Sequence, residues 1–148
     1  MPQRILQTVT RLRYGLLFTL VSVCSPSHAG DILVNIGGKQ AKAPVYLALV
    51  LADQAQWPTT PLRHVQAQDG VALFTKVPPG RYALQLYRDD NGNGQLDLSP
   101  RGVPLEPVGF SANPPLARGK PEPLACLFEH GGGDTELQIE LHDARARR

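Results

Sequence analysis

Apolar and polar residues alternate with a period of two along most of this chain, the pattern of strands that bury one face. Ile32, Val34 and Ile36 share one side of the first run. Val45, Leu47, Leu49 and Leu51 share a side of the second. There Tyr46, Ala48 and Val50 make the opposite side nearly as apolar, which places this strand inside a sheet rather than at its edge. Two further strands, near Leu62 to Ala67 and Val71 to Val77, are joined by a turn at Asp69-Gly70. Tyr82, Leu84 and Leu86 line the inner side of the next strand. In the last, Leu137, Ile139 and Leu141 point inward while Glu136, Gln138, Glu140 and His142 point out.

No window carries an amphipathic helix, and 14 prolines and 14 glycines cut the chain into short pieces. About seven short strands with no repeat of fixed period predict an all-β, two-sheet β-sandwich of immunoglobulin-like or transthyretin-like type, with a barrel as the other way to close such strands. The exception is Leu98 to Gly133, which holds half of the prolines and little alternation. Long irregular connections in small domains are functional or disordered. This one contains Val108-Gly109-Phe110 and Leu124 to Phe128, enough apolar surface to pack down as an ordered excursion.

The first residues read as a targeting segment. Arg4, Arg11 and Arg13 precede the apolar run Tyr14 to Val23, and Ser27-His28-Ala29 offers small residues where a signal peptidase cuts. The run is about half the roughly 20 residues that span a membrane, so cleavage is expected over anchoring. Cys24 raises lipidation as an alternative, against which stands Val23 at a position where a lipobox needs a small residue. The expected organisation is a signal peptide at 1–29, a sandwich at 30–142 and a basic tail at 143–148, exported to the periplasm or beyond. Removing the signal turns the net charge from +2 to −1, with 12 basic against 13 acidic residues from Gly30 onward, so the chain does not read as a nucleic-acid binder. Cys126 is then the one cysteine left, which excludes an internal disulfide, and its apolar neighbours predict a buried, inert thiol.

Chemistry concentrates in Asp89-Asp90-Asn91-Gly92-Asn93-Gly94-Gln95-Leu96-Asp97, where oxygen-bearing side chains alternate around glycines. Calcium takes six to eight hard oxygen ligands, and calcium loops supply them at alternate positions with glycine at the sharp turn. Counting Asp89 as the first ligand puts Asn91 third, Asn93 fifth, the Gln95 carbonyl seventh and Asp97 ninth. The twelfth position, a bidentate glutamate in an EF-hand, is Pro100, so the remaining ligands must come from Asp90, Glu106 or water. A metal-free Asn-Gly turn explains the glycines equally well. It does not explain three carboxylates crowded within nine residues, which repel one another without a cation. The expected cofactor is therefore a structural calcium ion held by Asp89, Asn91, Asn93, Gln95 and Asp97.

Two stretches carry a family resemblance. Phe74-Thr75-Lys76-Val77-Pro78-Pro79-Gly80-Arg81-Tyr82-Ala83-Leu84, running on to the Asn-Gly loop, and Gly102-Val103-Pro104-Leu105-Glu106-Pro107-Val108-Gly109-Phe110-Ser111 resemble the bacterial exported family called domain of unknown function 2141. The likeness runs from about Gly30 to His142 and implies an exported domain with no assigned activity. The phenylalanine, proline-glycine and tyrosine arrangement is also similar to that of transthyretin-like and carboxypeptidase-regulatory domains, where it joins two strands of a sandwich. That likeness bears on fold alone.

Catalytic signals are weak. His130-Gly131-Gly132-Gly133 beside Asp134 looks like an esterase oxyanion loop, but the chain has no Gly-x-Ser-x-Gly elbow and no α/β alternation. His64, His130 and His142 lack metal-ligand spacing. The expectation is a non-enzymatic module that meets a protein or glycan at the cell envelope, with no membrane span after signal removal. A small periplasmic hydrolase or ligand carrier using a cavity under the long loop is the alternative. Tyr46, Trp57, Tyr87 and Phe110 are the aromatics available to either.

Overall fold

The structure, a computed structural model, describes residues 28–38 and 42–143. The expected signal peptide, apart from His28 and Ala29, and the basic tail beyond Asp143 lie outside the described residues. Eight strands form: β1 Gly30–Gly37, β2 Val45–Leu51, β3 Arg63–Gln66, β4 Val71–Val77, β5 Gly80–Arg88, β6 Val108–Phe110, β7 Leu127–His130 and β8 Thr135–Glu140. The smaller sheet has the order β4-β1-β8. The larger runs β3-β2-β5-β6, and β7 also pairs with β5. Among the described residues no helix is long and apolar enough to cross a membrane.

The alternating residues do what their spacing dictates. Ile32, Val34, Leu47, Leu49, Phe74, Leu84, Leu86 and Ile139 meet between the sheets as the main core, and burial of such side chains is the dominant favourable term in folding. Leu51 departs from the expected pattern: as the last residue of β2 it is 44% exposed. The Asp69-Gly70 turn forms with positive φ at both residues (50° and 79°). Reciprocal Gln68–Val71 backbone hydrogen bonds of 2.9 Å close it, the geometry of a primed two-residue turn. It carries the chain from the larger sheet to the smaller.

The Pro78-Pro79-Gly80 corner carries it back. Tyr82 donates its hydroxyl to the Pro78 carbonyl at 2.8 Å. A Cβ on Gly80 would lie 3.0–3.1 Å from the Tyr82 ring, so glycine leaves the ring its place.

The larger sheet is covered on both faces. Val50, Ala52, Ala83, Tyr87, Val108, Phe110 and Cys126 form a second apolar cluster on the face away from the small sheet, with Trp57, Leu96, Leu116 and Leu127 packed against it. The long excursion supplies much of this cover, and it contains β6, a 3₁₀ turn at Pro123–Cys126 and β7. That is why eight strands appear where about seven were expected. β6 is three residues long and wholly buried, so it has no alternation to read. Its Gly109 is obligatory, because a Cβ there would stand 2.6 Å from the Glu140 carbonyl oxygen.

Candidate functional site

The Asn-Gly loop hangs from the end of β5. Asp89, 2% exposed, is fixed through its N–H to the Pro44 carbonyl at 2.9 Å. Its carboxylate turns into the loop and accepts three backbone N–H groups: Gly92 at 2.7 Å, Asn93 at 3.1 Å and Gly94 at 2.8 Å. Gly92 and Gly94 have φ of +77° and +74°, with open space around a notional Cβ. Conformation alone favours glycine at these two positions.

The other expected ligands gather around the same turn. Asn91 Oδ1 accepts the Asn93 N–H at 3.1 Å, and Asn93 Oδ1 accepts the Gln95 N–H at 2.8 Å. Both amide nitrogens donate to the Asp97 carboxylate, that of Asn93 at 3.1 and 3.2 Å to its two oxygens. Asp89, Asn91, Asn93, Gln95 and Asp97 thus belong to one connected cluster. Among the described residues no three His, Cys, Asp or Glu side chains converge as a metal group. Carboxylates contribute only part of this oxygen set, and amides must contribute the rest.

Where an EF-hand would place its twelfth-position glutamate, the chain reverses. Gly102 donates its N–H to the Ser99 carbonyl and Leu105 to that of Asp97, at 2.8 and 2.9 Å, so Pro100 lies at a hairpin tip. The reversal returns Glu106 to the loop, buried to 5% exposure. Its carboxylate accepts the N–H of Asp90 at 2.9 Å and of Asp97 at 3.2 Å, bracing both ends of the loop. Asp90 pairs with Arg88 at 2.6 Å. Of the two extra carboxylates considered from sequence, Glu106 joins the loop through its backbone and Asp90 serves Arg88.

Tyr87 ties the loop to the sheet by donating its hydroxyl to the Gly94 carbonyl at 2.8 Å. Burial first, then the charge of Asp89, raises its pKa, which keeps the donor proton in place.

The histidines are dispersed. His64 stacks on Tyr46 with ring centroids 5.3 Å apart. His130 is buried, with Nδ1 2.7 Å from the Thr135 hydroxyl and Nε2 3.0 Å from the Val77 carbonyl. A carbonyl only accepts, so Nε2 carries a proton there and both ring nitrogens are engaged. His142 exchanges backbone hydrogen bonds with Val108. The Cys126 thiol is buried, and burial pushes its pKa up to about 12.

Sequence reasoning missed Gln85 and Lys120. Gln85 is a polar residue at an ordinary alternating position, and Lys120 sits in a proline-rich stretch without a motif, so neither carried a signal. They line a cavity of about 600 Å³ behind the loop, bounded also by Trp57, His64, Tyr87 and Gly94 to Leu96.

An all-β sandwich whose acidic Asn-Gly loop is braced by a returning glutamate is the class that these features define. The chain belongs to the DUF2141 family, described as an uncharacterised protein conserved in bacteria, whose profile matches residues 34–138. That span includes the loop, Glu106 and β6. No curated protein and no solved structure matches the chain.

Proposed function

We propose that this chain is an exported, non-enzymatic binding module whose Asp89–Asp97 loop holds a structural calcium ion. The observation that carries the calcium reading is the Asp89 carboxylate, buried at the mouth of a loop that folds its oxygens inward. Turning the Asn91 or Asn93 amide about its last side-chain bond puts an oxygen where a nitrogen now meets Asp97, giving Asp89, Asn91, Asn93, the Gln95 carbonyl and Asp97 as ligands, with water completing the shell. A weak extracellular type of site fits this sparse charge.

Export is supported by the signal-like first 29 residues and by β1, which begins at Gly30, the residue after the expected cut. The sheet-crossing Pro78–Tyr82 corner supports a transthyretin-like arrangement of the sandwich. The non-enzymatic reading is supported by a raised Cys126 pKa and by a His130 ring with both nitrogens occupied.

Thermal unfolding in millimolar calcium against EDTA tests the metal. A ligand at about a hundred times its Kd adds roughly 2.7 kcal/mol, which for a domain of this size raises Tm by about 10 °C. Superimposable curves would leave the loop as a metal-free Asn-Gly turn.

A further inference from the structure

On the outer face of the larger sheet, register places His64, Ala48, Gln85 and Phe110 in one row across four strands. Ala48 is small, so a hollow opens beside Gln85. Two of the residues that line it carry groups in need of partners. Gln85 Oε1 is buried and accepts no hydrogen bond, a state that costs stability until a donor arrives. Lys120 is half-buried, its ammonium 5.2 Å from the centre of the Trp57 ring. The ion pairs among the described residues join Arg81 with Asp53, and Arg88 with Asp90 and Asp143, leaving Lys120 without a carboxylate. Desolvation lowers its pKa to about 8, the penalty of a buried cation with no counter-charge.

We propose that this cavity binds an acidic sugar, a uronate whose carboxylate pairs with Lys120 and whose hydroxyl donates to Gln85 Oε1. The volume, about 600 Å³, is in the range of small-molecule sites. Apolar walls from Trp57 and Leu96 alternate with polar groups, matching a pyranose with C–H faces and O–H edges. A neutral sugar leaves Lys120 unpaired, and a simple alkyl carboxylate leaves Gln85 without a donor. Tyr87 does not compete for the ligand, because its hydroxyl is already given to Gly94. This assignment rests on the binding-module reading above and names its ligand class. Its two recognition groups lie on the sheet and the long excursion, outside the calcium ligands, although Gly94 to Leu96 of the loop form part of the cavity wall.

The test is a titration of the protein with D-glucuronate, D-galacturonate and glucose, followed by amide chemical shifts, in EDTA and again in calcium. A uronate is expected to saturate shifts around Gln85 and Lys120, and glucose to bind about tenfold or more weaker, the factor expected for one lost charge-assisted hydrogen bond. Lys120→Met, which keeps a stem over Trp57, and Gln85→Leu should each weaken uronate binding by a similar factor. Arg81→Met, on the surface outside the cavity, should not. Absence of saturable uronate binding, equal binding of glucose, or unchanged affinity in both cavity variants would overturn the assignment. The glucose comparison needs no variant, so a misfolded substitution does not blunt the test. Uronate binding in EDTA by a protein that ignores calcium would remove the metal and keep the cavity, and the converse would remove the cavity alone.

Discussion

Replacing Asp89 and Asp97 separately by alanine should give unequal losses of stability even in EDTA, although both are expected calcium ligands. Asp89→Ala removes the acceptor of three backbone N–H groups, those of Gly92, Asn93 and Gly94. The loop is exposed and water can rehydrate them, so each bond is worth its net value of about 1 kcal/mol and the three together about 3 kcal/mol. At about 4 °C per kcal/mol for a domain of this length, Tm should fall by about 12 °C. Asp97→Ala loses only amide contacts from Asn91 and Asn93, while its own N–H still donates to Glu106. Exposed pairs of this kind contribute little, and the fall should stay within about 3 °C. Circular-dichroism melts of the two variants and the parent, in excess EDTA at neutral pH, read the difference directly. Equal Tm values for Asp89→Ala and Asp97→Ala would refute the reasoning, because they would mean that the buried carboxylate does not organise the loop.

Two further outcomes follow from the same geometry. Glu106→Gln keeps the volume but turns an amide N–H toward one of the two backbone donors, Asp90 N or Asp97 N. It should cost about 1.5–3 kcal/mol in a denaturant titration and weaken calcium affinity through loop disorder, and an unchanged midpoint would argue against the brace. With its pKa moved from 9.0 to about 12, Cys126 keeps its proton in the folded state where the unfolded chain has released it, so its contribution is full below pH 9 and is lost as pH rises toward 12. Folded protein at pH 8.5 should resist iodoacetamide until denaturant is added, and the stability gap to Cys126→Ala should narrow above pH 9; rapid labelling of folded protein would contradict the burial.

Strands with one wet face were legible from sequence because alternation records burial on one side only. Ile32, Val34 and Ile36, or Leu137 and Ile139, could hardly be placed otherwise. β6 was illegible for the opposite reason, since Val108, Gly109 and Phe110 are all buried and the pattern is flat. The nearly apolar second side of β2 foretold an interior strand, and β2 lies between β3 and β5, with Phe110 and Cys126 of the excursion packed on that side. In the loop, alternating oxygens and glycines predicted a turn and its cluster. The role of Glu106 was not legible, because a Pro100 hairpin has to fold before a residue nine positions beyond Asp97 can reach the Asp97 N–H. Gln85 and Lys120 meet only through sheet register and an irregular segment, which no local spacing encodes.

Calorimetric titration of calcium into the metal-free protein, with Asp97→Ala alongside, tests the central claim most directly. The loop geometry predicts one ion per chain for the parent and no measurable binding for the variant, whose fold and melting in EDTA remain close to the parent's. A flat titration of the parent at millimolar calcium, or equal binding by Asp97→Ala, would contradict it.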